Sequence, residues 1–143
     1  MADEQKKYGF TTMSVTYIAL DGDNVGKRLE YLCFTNDVSQ LRNFSIAFSK
    51  KMNWLRDELV SRFNADVIID GGDNLMISLT QPERMGEFLN TLSEVFSDFQ
   101  TVGNTLSAGI GDSPRDAFIA LNFAKSSGKD CIKIYGDYTD NGS

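Results

Sequence analysis

Apolar residues along this chain recur in two periods, and the periods mark out the elements. The segment "SVTYIAL" (14–20) is β-rich and nearly all apolar and stops at Asp21, the signature of a buried central strand. "DNVGKRLEYLC" then reads as a turn feeding a short helix. Asp37 or Ser39 can cap the next one, in which Leu41, Phe44, Phe48, Met52, Leu55, Leu59 and Phe63 step by three or four along a single face. "DVIIDGGDNLMISL" (66–79) holds two apolar runs around Asp70–Asn74 and predicts a hairpin. Met85, Phe88, Leu92, Val95, Phe96 and Phe99 stripe a further helix, with Thr80 and Glu83 spaced as a capping box beside Pro82. "NTLSAGIGD" is a strand of small residues. "SPRDAFIALNFAKSSG" is a helix capped by Ser113, Pro114 and Asp116 and closed by Gly128, and "CIKIYG" is a last strand.

The order strand, helix, helix, hairpin, helix, strand, helix, strand predicts an α+β fold of ferredoxin-like type. Its sheet is mainly antiparallel, and the helices are expected to cover one face. In such a sheet the first strand lies beside the hairpin and the last strand near an edge. No repeat, linker or low-complexity segment interrupts the pattern, so residues 1–143 read as one domain with its core at about 14–135. The polar tail "DYTDNGS" is expected to fray.

Composition narrows the chemistry. Hydrophobic residues make up 41% and charged residues 24%, a globular balance, and the net charge is −6 without any basic tract. Neither direct nucleic-acid binding nor membrane binding is expected from this. The segment 1–14 lacks the apolar stretch of a signal peptide, and no run approaches membrane-spanning length, so a cytoplasmic location is expected. Cys33 and Cys131 read as packing residues in a reducing compartment. The chain has no histidine, which removes Ser-His-Asp and Cys-His catalysis and most zinc chemistry. Any catalysis falls to carboxylates, lysines and a hard metal.

Two carboxylates stand where such a metal needs them. Asp21 ends the first strand and Asp73 lies in the hairpin turn, so the expected sheet brings them to one edge. With a backbone carbonyl and nucleotide phosphates they form the oxygen shell that Mg²⁺ prefers. Asp70 reads as a turn former, and Asp23 as either a ligand or a turn former. Gly71 and Gly72 let a base or ribose approach the backbone. In "GDNVGK" the amides of a helix start, with Lys27, can cradle phosphates. Ordinary turn chemistry accounts for the hairpin tip equally well, and the tip alone does not decide.

Taken together, "YIALDGDNVGK", "IDGGDNLM", "TLSAGIG" and "ALNFAKSSGKD", in this order and spacing, resemble the palm-type nucleotidyl cyclases. That group includes GGDEF diguanylate cyclases and the polymerase-like large subunit of type III CRISPR complexes, and the single-domain form looks most like the minimal CRISPR polymerase family. The resemblance implies a palm domain that uses Mg²⁺ (or Mn²⁺). It implies Asp21 and Asp73 as catalytic acidic ligands, with the Gly22 carbonyl beside them. Gly22, Asn24, Lys27, Gly71, Gly72, Lys125 and Lys129 would contact nucleotide, the last two lysines reaching the triphosphate. Asn74 departs from the acidic residue of the relatives and weakens a second metal position, for which Asp23 is the candidate substitute. The implied product is a cyclic dinucleotide made from ATP across a homodimer. It would serve antiviral signalling beside a separate membrane effector. A cyclic or linear oligoadenylate, a cyclic mononucleotide, or a degenerate palm that only binds nucleotide are the alternatives.

Overall fold

In a computed structural model of the chain, residues 15–80, 84–101 and 103–137 are described. The elements are β1 (Thr16–Asp23), α1 (Val25–Phe34), α2 (Val38–Phe63), β2 (Asp66–Asp70), β3 (Asn74–Leu79), α3 (Met85–Gln100), β4 (Thr105–Gly111), α4 (Pro114–Ser126) and β5 (Ile132–Ile134). This is the expected order. The five strands form one sheet in the order β2-β3-β1-β4-β5. β1 runs antiparallel to both neighbours, β2 antiparallel to β3, and β5 parallel to β4. The hairpin therefore lies beside the first strand and the last strand takes an edge, as the α+β reading requires.

The expectation that the helices cover one face is corrected. Ile18, Leu20, Leu75, Ile77, Leu106 and Ile110 pack with the stripes of α2 and α3 in the main core. Ala19, Met76, Ala117 and Leu121 form a second cluster on the opposite face, under α4. The cause lies in the alternation of β4. Leu106, Ala108 and Ile110 point to the main core, while Ser107, Gly109 and Gly111 point to the other face. Their small size lets α4 lie directly on the strand: a Cβ on Gly109 would collide with the backbone of Ala117 and Leu121. β4 is thus buried on both sides.

The helix ends follow local chemistry. Asp37 accepts the Gln40 amide at 3.0 Å and caps α2. Ser113 accepts the Asp116 amide at 3.1 Å with Pro114 at the start of α4. At the other end of α4, Gly128 has φ 108° and the Lys129 amide donates back to the Ala124 carbonyl at 3.1 Å. The capping box expected from Thr80 and Glu83 involves residues outside the described ones. α3 begins at Met85, with Arg84 at its N-cap and no side-chain cap. Phe63 meets Phe88 edge-on at 5.3 Å, and Phe48 meets Phe99 at 5.9 Å, closing the aromatic centre of the core. No helix among the described residues is long and apolar enough to cross a membrane.

Candidate functional site

Pairing brings the two acidic segments together. Asp21 stands directly across from Asn74 in the β1–β3 register, and the Gly22 amide donates to the Asp73 carbonyl at 2.9 Å. The turn that carries Asp73 is closed by the Gly71 amide on the Asn74 carbonyl at 3.1 Å, and Gly72 takes φ 91°, a backbone region glycine enters at no steric cost. Gly71, Gly72, Asp73 and Asn74 are all exposed. Asp70 does not join the site. It accepts from Arg56 of α2 at 2.6 Å and from the Gly72 amide at 3.3 Å, and the Arg56 guanidinium leads in holding its carboxyl below the ordinary range. It is a turn acid that ties the hairpin tip to α2.

Asp21 is half-buried, and burial pushes its carboxyl above the ordinary range. Lys125 opposes that rise, while repulsion from Asp73 and Asp23 adds to it. The Lys125 Nζ lies 3.2 Å from Asp21 Oδ2 and donates to the Gly22 carbonyl at 3.1 Å and to Asp23 Oδ1 at 2.8 Å.

Asp23 is not placed as a metal ligand, which corrects that expectation. Its side chain is buried, and both oxygens are spent on the chain. Oδ1 accepts from Ser107 Oγ at 2.7 Å and from Lys125, while Oδ2 accepts from Thr105 Oγ1 at 2.7 Å and the Asp130 amide at 3.0 Å. Burial alone would raise this carboxyl. The bonds from Lys125, Thr105, Ser107 and the Asp130 amide outweigh burial and hold it below the ordinary range. Asp23 thus fastens the end of β1 to β4, to α4 and to the segment before β5. That segment is bent: Gly128, Lys129 and Asp130 all have positive φ. Sequence reading missed Thr105 and Ser107 as partners. The available signal was two hydroxyls on one face of an otherwise apolar strand.

The remaining expected residues surround this point. Asn24, at φ 60°, is the N-cap of α1, and its Oδ1 accepts from Lys129 Nζ at 2.6 Å. Lys27 is exposed on the first turn of α1 and makes no salt bridge among the described residues. With Asp23, Asn24, Arg28, Tyr31 and Thr105 it lines a polar cleft of about 610 Å³. A second hollow of about 230 Å³ opens between α1, α2 and the hairpin tip, lined by Val25, Leu29, Phe44, Phe48, Ser45, Ser49, Gly71, Gly72 and Asp73. Phe44 and Phe48 stack there with ring centres 5.9 Å apart. The helical stripe had marked these two rings only as core.

Asp21 and the Gly22 carbonyl, with the Asp73 backbone bonded beside them, offer hard oxygen donors, and the Lys125 ammonium already lies against the first two. That donor chemistry fits a divalent cation such as Mg²⁺. Among the described residues no group of three or more acidic, His or Cys side chains gathers to hold a metal alone. A set of two carboxylates and one carbonyl leaves the other positions of an octahedral ion to water and phosphate oxygens.

Solved structures show the same fold. An EAL/GGDEF domain protein from M. capsulatus is 20% identical with a TM-score of 0.59, over 87% of this chain and 86% of that one. A GGDEF-only form of YfiN (TpbB) from Pseudomonas aeruginosa is 15% identical with a TM-score of 0.61, over 99% of this chain and 90% of that one. No curated protein matches the chain. The minimal CRISPR polymerase domain matches over residues 17–135, a span that runs from β1 through β5 and carries the whole site, and the chain belongs to that family.

Proposed function

We propose that the protein is a Mg²⁺- or Mn²⁺-dependent nucleotidyltransferase that joins and cyclises two ATP molecules into a cyclic di-AMP. The observation that carries this reading is the meeting of Asp21, the Gly22 carbonyl and the Asp73 segment at one end of the two adjacent strands β1 and β3, between two hollows. Asp21, Asp73 and the Gly22 carbonyl would hold the cation, which when bound neutralises phosphate charge and eases ionisation of the attacking hydroxyl. Lys27, Lys125 and Lys129 supply positive charge for the triphosphate, and the helix start at Asn24 adds oriented amides. The hollow offers the exposed margins of the buried Phe44 and Phe48 rings to the base, with Ser45 and Ser49 for hydrogen bonds, beside the open backbone of Gly72.

One palm holds one triphosphate in this arrangement, so the cyclic product calls for two chains face to face, a homodimer with two-fold symmetry. The product acts in the cytoplasm as an antiviral signal read by a separate membrane effector. These last steps extend the family resemblance. Incubation with ATP and Mg²⁺, followed by mass identification of the product, tests the whole reading, including other ring sizes, linear oligomers and cyclic mononucleotide.

Asn74 supports one other reading. It stands opposite Asp21, where an amide binds a metal more weakly than a carboxylate. A palm that binds nucleotide without turnover would leave ATP intact in the same incubation.

A further inference from the structure

The Lys125 ammonium touches three oxygens of very different standing. Two belong to the cation set just proposed: Asp21 Oδ2 at 3.2 Å and the Gly22 carbonyl at 3.1 Å. The third, Asp23 Oδ1 at 2.8 Å, belongs to the buried knot with Thr105, Ser107 and the Asp130 amide. The shortest contact is therefore to the group that does not ligate, and the two longer ones are to groups that would. A divalent ion cannot take Asp21 and the Gly22 carbonyl while an ammonium lies against both, because two cations at that range repel strongly in a half-buried site. The neighbouring Lys129 is engaged by Asn24.

We propose that Lys125 is the resident counter-ion of the Asp21–Gly22 oxygen pair. A divalent cation enters by turning it out, with Asp23 as the pivot. This rests on the reading of Asp21 and Gly22 as cation ligands given above. Lys125 gives up the two longer contacts and turns about its remaining bond to Asp23, so that its other two N–H donors face the open side of the site. There the phosphates of a nucleotide take up the released charge. Metal and nucleotide then help each other to bind, since each favours the same displaced position of Lys125, and the help is reciprocal. Without nucleotide the metal must displace Lys125 uncompensated and binds weakly. The metal-free site needs no other ion to balance Asp21.

Two measurements on the whole protein, neither reading turnover, test this. The first acylates surface amines of the wild-type protein and follows each lysine by mass spectrometry, with and without saturating Mn²⁺. Mn²⁺ is expected to speed modification of Lys125 about threefold or more, since an ammonium with three acceptors is shielded and a displaced one is not. Exposed Lys50 on α2 should not respond, and Asp21→Asn should abolish the effect. The second is calorimetry of Mn²⁺ binding without nucleotide. Lys125→Met should bind Mn²⁺ at least about tenfold more tightly than wild type, and Lys125→Arg no more tightly, for loss of a competing cation. A Lys125 reactivity that ignores Mn²⁺ overturns the proposal, as does a folded Lys125→Met with wild-type affinity. If that variant does not fold, the wild-type labelling decides alone. A protein that responds to Mn²⁺ in this way but makes no product from ATP retains this inference and loses the reading of function. One that makes the product without the Lys125 response does the reverse.

Discussion

The Gly22 amide is bonded to the Asp73 carbonyl at 2.9 Å, so the β1–β3 ladder that sets Asp21 across from Asn74 carries one contact further and holds the two acidic segments side by side. The side chains of Asp21 and Asp73 take no part in that bond. Asp21→Asn or Asp73→Asn should therefore leave the fold intact and remove turnover, by a factor of about 100 or more. Near-UV circular dichroism with product assays on both variants checks this. Native spectra with wild-type turnover would remove either residue from the catalytic set.

Asp23 has a different job and should fail differently. Asp23→Asn loses a charge that accepts from four donors and leaves the Lys125 ammonium with less compensation, at a cost of about 2 to 4 kcal/mol of stability. The pH dependence follows from the direction of its shift. The folded carboxyl lies below the ordinary value, so the unfolded chain binds its proton first as pH falls. The stabilisation is complete above about pH 4 and fades below it. Asp21, raised above the ordinary value, acts in the opposite sense. Urea unfolding of metal-free protein between about pH 2 and pH 6 should show a steep acid loss in wild type and a shallower one in Asp23→Asn. Equal slopes would separate Asp23 from acid stability.

Much of this architecture was legible in the sequence because burial writes a period into it. The stripes Phe44–Phe63 and Met85–Phe99 each report one helix face, and both are buried as expected. The side taken by α4 was not legible. Gly109 and Gly111 say only that something approaches β4 closely, and period alone does not tell which face. At the site, Asp21 and Asp73 could be paired from topology. Asp23 could not be separated from a ligand by spacing, because its assignment depends on donors about eighty residues later on β4 and on the Asp130 amide beyond α4. Long-range hydrogen bonds leave no periodic trace.

Gly109 makes the packing of α4 testable. A methyl there meets helix backbone, which cannot rotate away as a side chain can. Gly109→Ala should cost about 3 kcal/mol or more and shift Lys125 with its helix. Thermal unfolding, with Gly26→Ala on α1 as a variant in open space, gives the comparison. A loss no greater than that of the control would mean that α4 does not lie on β4 so closely.

The hollow at Phe44 and Phe48 predicts a base contact. Phe44→Ala should weaken adenosine and ATP binding by the same factor, about 5- to 10-fold, because both carry the base. Lys27→Ala should weaken ATP and spare adenosine, because only ATP carries phosphate. Calorimetry of both ligands against both variants checks the split. A Phe44→Ala protein that loses ATP affinity alone would move the base elsewhere.

Asp21 and Asp73 are proposed to make this palm a nucleotidyltransferase despite Asn74. The direct measurement is mass spectrometry of ATP incubated with Mg²⁺ or Mn²⁺ and the wild-type protein, beside Asp73→Asn. The account predicts a cyclic dinucleotide of adenosine and released pyrophosphate with wild type, and unchanged ATP with the variant. ATP that is bound by the wild-type protein yet recovered whole would contradict it and leave a nucleotide-binding module.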